Sequence, residues 1–175
     1  MNSVFLSPVD YVFTGIGSQP ITFAFYYPAK LDMKVLDDSL MRTLEYFPLI
    51  RSQLIQTTEN EYQYSLCKEG LTFEMSELAS VFKDSDNIEK YITPVNSIPG
   101  QPLTRITLSQ NSMGSVLAVS ISHALVDGFS YFHFLSSWAR VCRSENFIPP
   151  SLDRKIFNEY PADTTEKITT AKLVD

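Results

Sequence analysis

The stretch that most restricts how this chain can fold runs from Ser115 to Cys142. Within Ser115–Ser122, Leu117, Val119 and Ile121 alternate with smaller residues, the period-two pattern of a strand with one apolar face. Phe129–Cys142 contains no Gly or Pro and is rich in apolar side chains all round, so it reads as a well-buried helix. The turn between them, His123-Ala124-Leu125-Val126-Asp127-Gly128, puts an imidazole at the strand's end, four residues before an Asp-Gly. Rigid elements on both sides hold such a side chain while letting it face a cleft, which is where a general base is useful.

The rest of the chain punctuates itself. Ile21–Tyr27 sets Ile21, Phe23, Phe25 and Tyr27 against Thr22, Ala24 and Tyr26, and predicts a strand that Pro28 ends. Asp32 is placed to cap a helix over Lys34–Tyr46, with Leu36, Leu40, Leu44 and Phe47 as its apolar stripe and Pro48 as its stop. Gln53–Thr57 and Glu61–Leu66 predict a strand pair turning at Glu59-Asn60, and Leu71–Met75 a further short strand. Short helices are expected over Ser76–Phe82 and Asn87–Tyr91, then a loop from Pro94 to Pro102. Leu103–Ser109 and Ser115–Ser122 should form a hairpin around Gln110–Gly114, while Met1–Gly17 reads as a lead-in broken by Gly15-Ile16-Gly17 and Pro20.

The sequence around the histidine extends to a longer pattern. His123-Ala124-Leu125-Val126-Asp127-Gly128-Phe129-Ser130 is followed by Phe134-Leu135, Trp138-Ala139-Arg140 and Pro149-Pro150-Ser151-Leu152-Asp153-Arg154. It is preceded by Leu6-Ser7-Pro8-Val9-Asp10 and by Leu40-x-x-x-Leu44-x-x-Phe47-Pro48-Leu49. This ordered set resembles the first half of the BAHD-type acyl-CoA-dependent acyltransferases, relatives of chloramphenicol acetyltransferase and of peptide-synthetase condensation domains. A lone His-x-x-x-Asp would say little; the order of the whole set says much more.

The resemblance implies an α+β fold, a chloramphenicol acetyltransferase-like half-domain whose mixed, mostly antiparallel sheet is packed by helices. It implies a domain over residues 1–152 and a polar tail or interdomain linker over 153–175. It assigns His123 as the base that takes a proton from a hydroxyl or amine acceptor as that group attacks an acyl-CoA thioester. Imidazoles ordinarily titrate near pH 6.5, so the neutral form is available near pH 7. Asp127 then serves structure, paired with an arginine, and Gly128 keeps the approach to the histidine open. Ile50-Arg51-Ser52 departs from the BAHD pattern toward that of condensation domains, where such an arginine pairs with the motif aspartate. Arg51 is therefore a candidate partner for Asp127, or else a surface cation. Ser130, Tyr11 and Phe13 are candidates for the acceptor pocket.

A second departure is larger. The family's Asp-Phe-Gly-Trp-Gly motif lies in a second half that is missing from these 175 residues. By the resemblance, that half supplies most acyl-CoA contacts, and acyl-CoA is a co-substrate with no permanently bound cofactor. The chain would then need that half or a partner subunit, beside its small-molecule acceptor. Two other readings stand beside this one: a compact trimer like chloramphenicol acetyltransferase, and a non-catalytic truncated paralogue that binds a ligand or a protein.

Composition narrows the classes further. A net charge of −6 argues against nucleic acid or an anionic membrane as the main partner, and 44% hydrophobic residues suit one globular domain. Cys67 and Cys142 are expected to be reduced core thiols of a cytoplasmic protein. There is no basic segment followed by a long apolar stretch at the N-terminus, and no run long enough to span a membrane. Two histidines and the carboxylate spacings match no familiar zinc pattern, so no metal is expected. Ser122 and Ser130 sit in no G-x-S-x-G elbow. His133 is expected inside the buried helix without a catalytic part. Tyr131, Phe132, Phe134 and Trp138 are expected in the core, with one ring able to line a pocket.

Overall fold

A computed structural model of the chain describes residues 3–59, 61–77 and 88–152. Among these residues, seven strands and three α-helices form two sheets with helices against the larger one. β1 (Ser3–Phe5), β4 (Glu61–Leu66) and β3 (Ser52–Thr58) make an antiparallel three-stranded sheet in the order β1-β4-β3. β2 (Ile21–Tyr27), β7 (Gly114–Ile121), β6 (Thr104–Asn111) and β5 (Leu71–Glu77) make the second sheet in the order β2-β7-β6-β5. Only β5 and β6 run parallel, so the expected α+β, mostly antiparallel arrangement is present.

α2 (Met33–Leu44) begins where Asp32 Oδ1 accepts from the backbone N–H groups of Lys34 and Val35. It ends before Pro48, which opens a single 3₁₀ turn over Pro48–Ile50. α3 (Gly128–Cys142) lies beside α2, and Trp138 Nε1 donates to Leu36 O and Ser39 Oγ to join them. Leu40, Leu44, Ile106, Leu108, Val119, Ile121, Phe134 and Trp138 belong to the core between this helix pair and the four-stranded sheet. A smaller cluster of Leu54, Tyr64 and Leu103 sits under the three-stranded sheet.

Leu103 welds the two sheets. Its N–H faces both Ser52 O and Gly70 O, and its own carbonyl accepts from Ser122 N. Backbones come so close here that a Cβ on Gly70 would lie 2.4 Å from Ser52 backbone atoms, so glycine is required on steric grounds.

Several expectations are corrected. Met1–Gly17 is more than a lead-in: it holds β1 and a short helix α1 (Pro8–Val12), with Ser7 as N-cap and Pro8 in the first turn. Ser76 and Glu77 extend β5 instead of starting a helix, and the remainder of Ser76–Phe82 lies outside the described residues. The Asn87–Tyr91 segment holds a 3₁₀ turn over Ile88–Tyr91. β7 is buried along its whole length, not on one face only, and at its end Val95 and Ser97 meet the side that carries Ser120 and Ser122. α3 is one-sided: Tyr131, Phe134 and Trp138 are buried, but Phe129 is 78% and Phe132 47% exposed. Phe132 is therefore not a core residue. Cys67 and Cys142 are free thiols, yet only half-buried. The tail over 153–175 lies outside the described residues. No described helix is long and apolar enough to cross a membrane.

Candidate active site

His123 stands just past the end of β7, and its neighbours in sequence are bolted down. Ser122 N donates to Leu103 O, and Ser122 Oγ lies 2.6 Å from Ser97 Oγ. On the other side, the buried Tyr64 hydroxyl donates to Ala124 O at 2.7 Å. The turn closes with Leu125 N on Ser122 O. Backbone hydrogen bonds thus fix the main chain of the histidine while its side chain stays half-buried. Among the described residues, His123 Nδ1 is buried without a hydrogen-bond partner. The Phe13 ring stacks on the imidazole, with centroids 3.9 Å apart and planes 10° apart.

The imidazole borders a cleft of about 390 Å³. Three distant stretches of sequence form its walls: Ser7–Phe13 from the opening, Phe47–Ile50 after α2, and the His123–Asp127 turn. Ser130 and His133 of α3 and the Pro150–Leu152 segment complete it.

Asp127 is the N-cap of α3. Its Oδ1 accepts from Ser130 N at 2.7 Å. That backbone hydrogen bond, first, then the Ser130 hydroxyl and the nearby His123, holds its carboxyl below the usual carboxylate range. The expected Asp127–Arg51 ion pair does not form: among the described residues Asp127 bonds Ser130, and an ion pair joins Arg143 and Glu145 at the far end of α3. The aspartate is tied to its own helix and needs no arginine to hold it. Arg51 does not line the cleft.

Other candidates divide. Phe13 and Ser130 border the cleft, whereas the Tyr11 hydroxyl points away and bonds the Tyr62 backbone at 3.1 Å. Gly128 has open space around it: a Cβ there would meet nothing within 4 Å. Ser122 is buried and engaged with Ser97, so it is not poised as a nucleophile. No cluster of metal-ligating side chains occurs among the described residues.

His133 was missed. It borders the cleft too, and its Nε2 lies 2.8 Å from Ile148 O, so it donates there and ties the segment after α3 to the helix. The signal was present in the spacing. His133 follows Ser130 by three residues, and on a helix that puts both on one face.

A family model described as the Transferase family matches residues 1–175. The chain belongs to this family, the BAHD acyltransferases. The BAHD acyltransferase DCR of Arabidopsis thaliana is 29% identical over 137 residues, which cover 68% of this chain and 28% of that protein. Among solved structures, vinorine synthase superposes with a TM-score of 0.69 at 20% identity, covering 92% of this chain and 43% of that one. TRI101 of F. sporotrichioides, complexed with coenzyme A and T-2, gives 0.64 at 15% identity, covering 83% and 42%. The two solved structures share this chain's fold, and the chain spans less than half the length of each of the three relatives. Of the BAHD-like segments scattered along the sequence, those around Leu6–Asp10, Phe47–Leu49, His123–Ser130 and Pro150–Leu152 contribute to the cleft, whereas Phe134 and Trp138 lie in the core.

Proposed function

We propose that this chain is the acceptor-side half of an acyltransferase that moves an acyl group from acyl-CoA to a hydroxyl or amine, with His123 as general base. One observation carries the reading: a half-buried imidazole, its backbone fixed on both sides, faces a cleft from the end of a rigid strand. His123 Nε2 takes the acceptor's proton as the acceptor oxygen or nitrogen attacks the thioester carbonyl. The tetrahedral intermediate then expels the coenzyme A thiolate, which takes the proton back from Nε2 as the carbonyl re-forms. Positioned proton transfer of this kind is typically worth roughly 10²–10⁴ in rate.

No acyl-enzyme forms on this path. Asp127 holds the turn by capping α3 and so keeps the motif in register with the strand. A second protein layer supplies the rest of the acyl-CoA site; the coenzyme A complex of TRI101 supports acyl-CoA as the donor. The two free thiols support a reducing, cytoplasmic setting.

The test is coenzyme A release from acyl-CoA thioesters in the presence of alcohols, phenols and amines. It is measured with this chain alone and with this chain supplied with the second half of a BAHD relative. His123→Ala is expected to lower turnover by about 10²–10⁴ without unfolding the protein. Wild-type turnover in that variant would reject the mechanism.

A further inference from the structure

We propose that Phe13 is the positioning residue for the His123 imidazole: a face-to-face stack, not a hydrogen bond at Nδ1, sets the plane of the ring. The inference rests on the reading of His123 as base and adds to it the means by which Nε2 is aimed.

A histidine's terminal torsion is soft and roughly two-fold, so a base needs something to stop its ring from turning. Active sites commonly do this with a hydrogen bond to the second ring nitrogen. Here that nitrogen is buried without a partner among the described residues. A flat ring lies over the imidazole instead, at 3.9 Å and 10°. At that separation the imidazole cannot rotate without driving its edge into the phenyl ring. The contact covers one face and leaves the Nε2 edge uncovered.

Phe13 is not there to fill the core, because it belongs to neither buried apolar cluster and borders the cleft. It is held by an unusually well-anchored scrap of helix. Asp10 Oδ2 accepts from Ser7 N at the start of α1, Tyr11 bonds the Tyr62 backbone, and Gly15 N donates to Ser97 O at 2.8 Å. Ser97 then supplies the decisive link. Its carbonyl holds the chain two residues after Phe13, and its hydroxyl holds Ser122, the residue before His123. Ser97 itself is 2% exposed. One buried serine therefore fixes both partners of the stack relative to each other.

The chain has two histidines, so its imidazole NMR spectrum contains two ring systems, and a His133→Gln variant assigns them. The wild-type His123 ring protons should lie upfield of their positions in the urea-unfolded chain. Carbon relaxation should show that ring to be rigid. Phe13→Leu should remove the upfield displacement and loosen the ring, whereas Phe13→Tyr should retain both. In acyl transfer by the chain supplied with a BAHD second half, Phe13→Leu should lower kcat about tenfold with little change in the acyl-CoA KM, and Phe13→Tyr should restore it. An imidazole unchanged by Phe13→Leu overturns the proposal, and so does an unchanged kcat once the ring has been loosened. Loss of the base reading itself would look different: His123→Ala would keep turnover, while the NMR effects of Phe13→Leu would persist.

Discussion

Asp127 shows how one side chain can carry a motif without touching the chemistry. Its carboxylate accepts from the first turn of α3, so Asp127→Ala should cost about 1 kcal/mol in urea unfolding, the usual worth of an N-cap. Asp127→Asn should cost less, because an amide oxygen caps a helix nearly as well. The two changes differ in pH dependence. The native carboxyl titrates below the unfolded one, so its stabilisation is present above about pH 4 and fades as pH falls through the native value. Wild type should therefore lose this increment on acidification, and Asp127→Asn should not; parallel pH–stability curves for the two would refute the cap. His-x-x-x-Asp marked this residue in the sequence, but the sequence could not say what it bonds. Arg51 was the partner implied by the resemblance to condensation domains, whereas the start of α3 already presented N–H groups to the carboxylate.

At the scale of elements, the site is a junction of β7, α3 and α1. β2, α2, β3, β4, β6 and α3 were all legible, because each combines a clear period with a cap, a Pro or a turn. β1 and α1 were not. They are too short to show a period, and β1 exists only because β4 offers it an edge across some sixty residues of chain, with Ser3 paired to Ser65. The burial of both β7 faces was also hidden, since small residues such as Ala118 and Ser120 look like a solvent face in the sequence alone. Tyr64 belongs to this level: it lies on β4 yet holds the turn after β7 through Ala124 O. Tyr64→Phe leaves that buried carbonyl unpaired and should destabilise the chain by about 1–3 kcal/mol. Amide exchange at Ala124 and Leu125 should accelerate more than in the rest of the sheet. Uniform acceleration would show that the bond serves global stability alone.

For the molecule as a whole, the β2 edge of the larger sheet, unpaired among the described residues, matters most. β2 is an edge strand without Pro, Lys or a bulge within its span. Phe23 is 43% exposed on it, beside exposed Phe132 on α3. A groove of about 600 Å³ between β2, α2 and α3 continues this apolar face past Phe25, Leu36 and Leu135. Long uncharged edges with exposed aromatics favour association. The isolated chain should therefore show a sedimentation coefficient that rises with concentration, and Phe132→Lys should abolish most of that rise. A wild-type chain that stays monomeric at the highest concentrations would remove both the self-association and the trimer reading.

The sequence by itself determined the repeating elements and the identity of the strand–turn–helix that carries His123, because period, caps and prolines act locally. It also fixed the family, since the order of short motifs survives without any knowledge of their packing. Only the tertiary structure decided which distant residues face the imidazole. Phe13, Ser97, Tyr64 and His133 reach that turn through contacts between separate elements, and such contacts leave no period in the sequence to read. The same holds for Asp127: a carboxylate takes the nearest donors in space, and those are set by how the helix begins rather than by which opposite charge the chain contains.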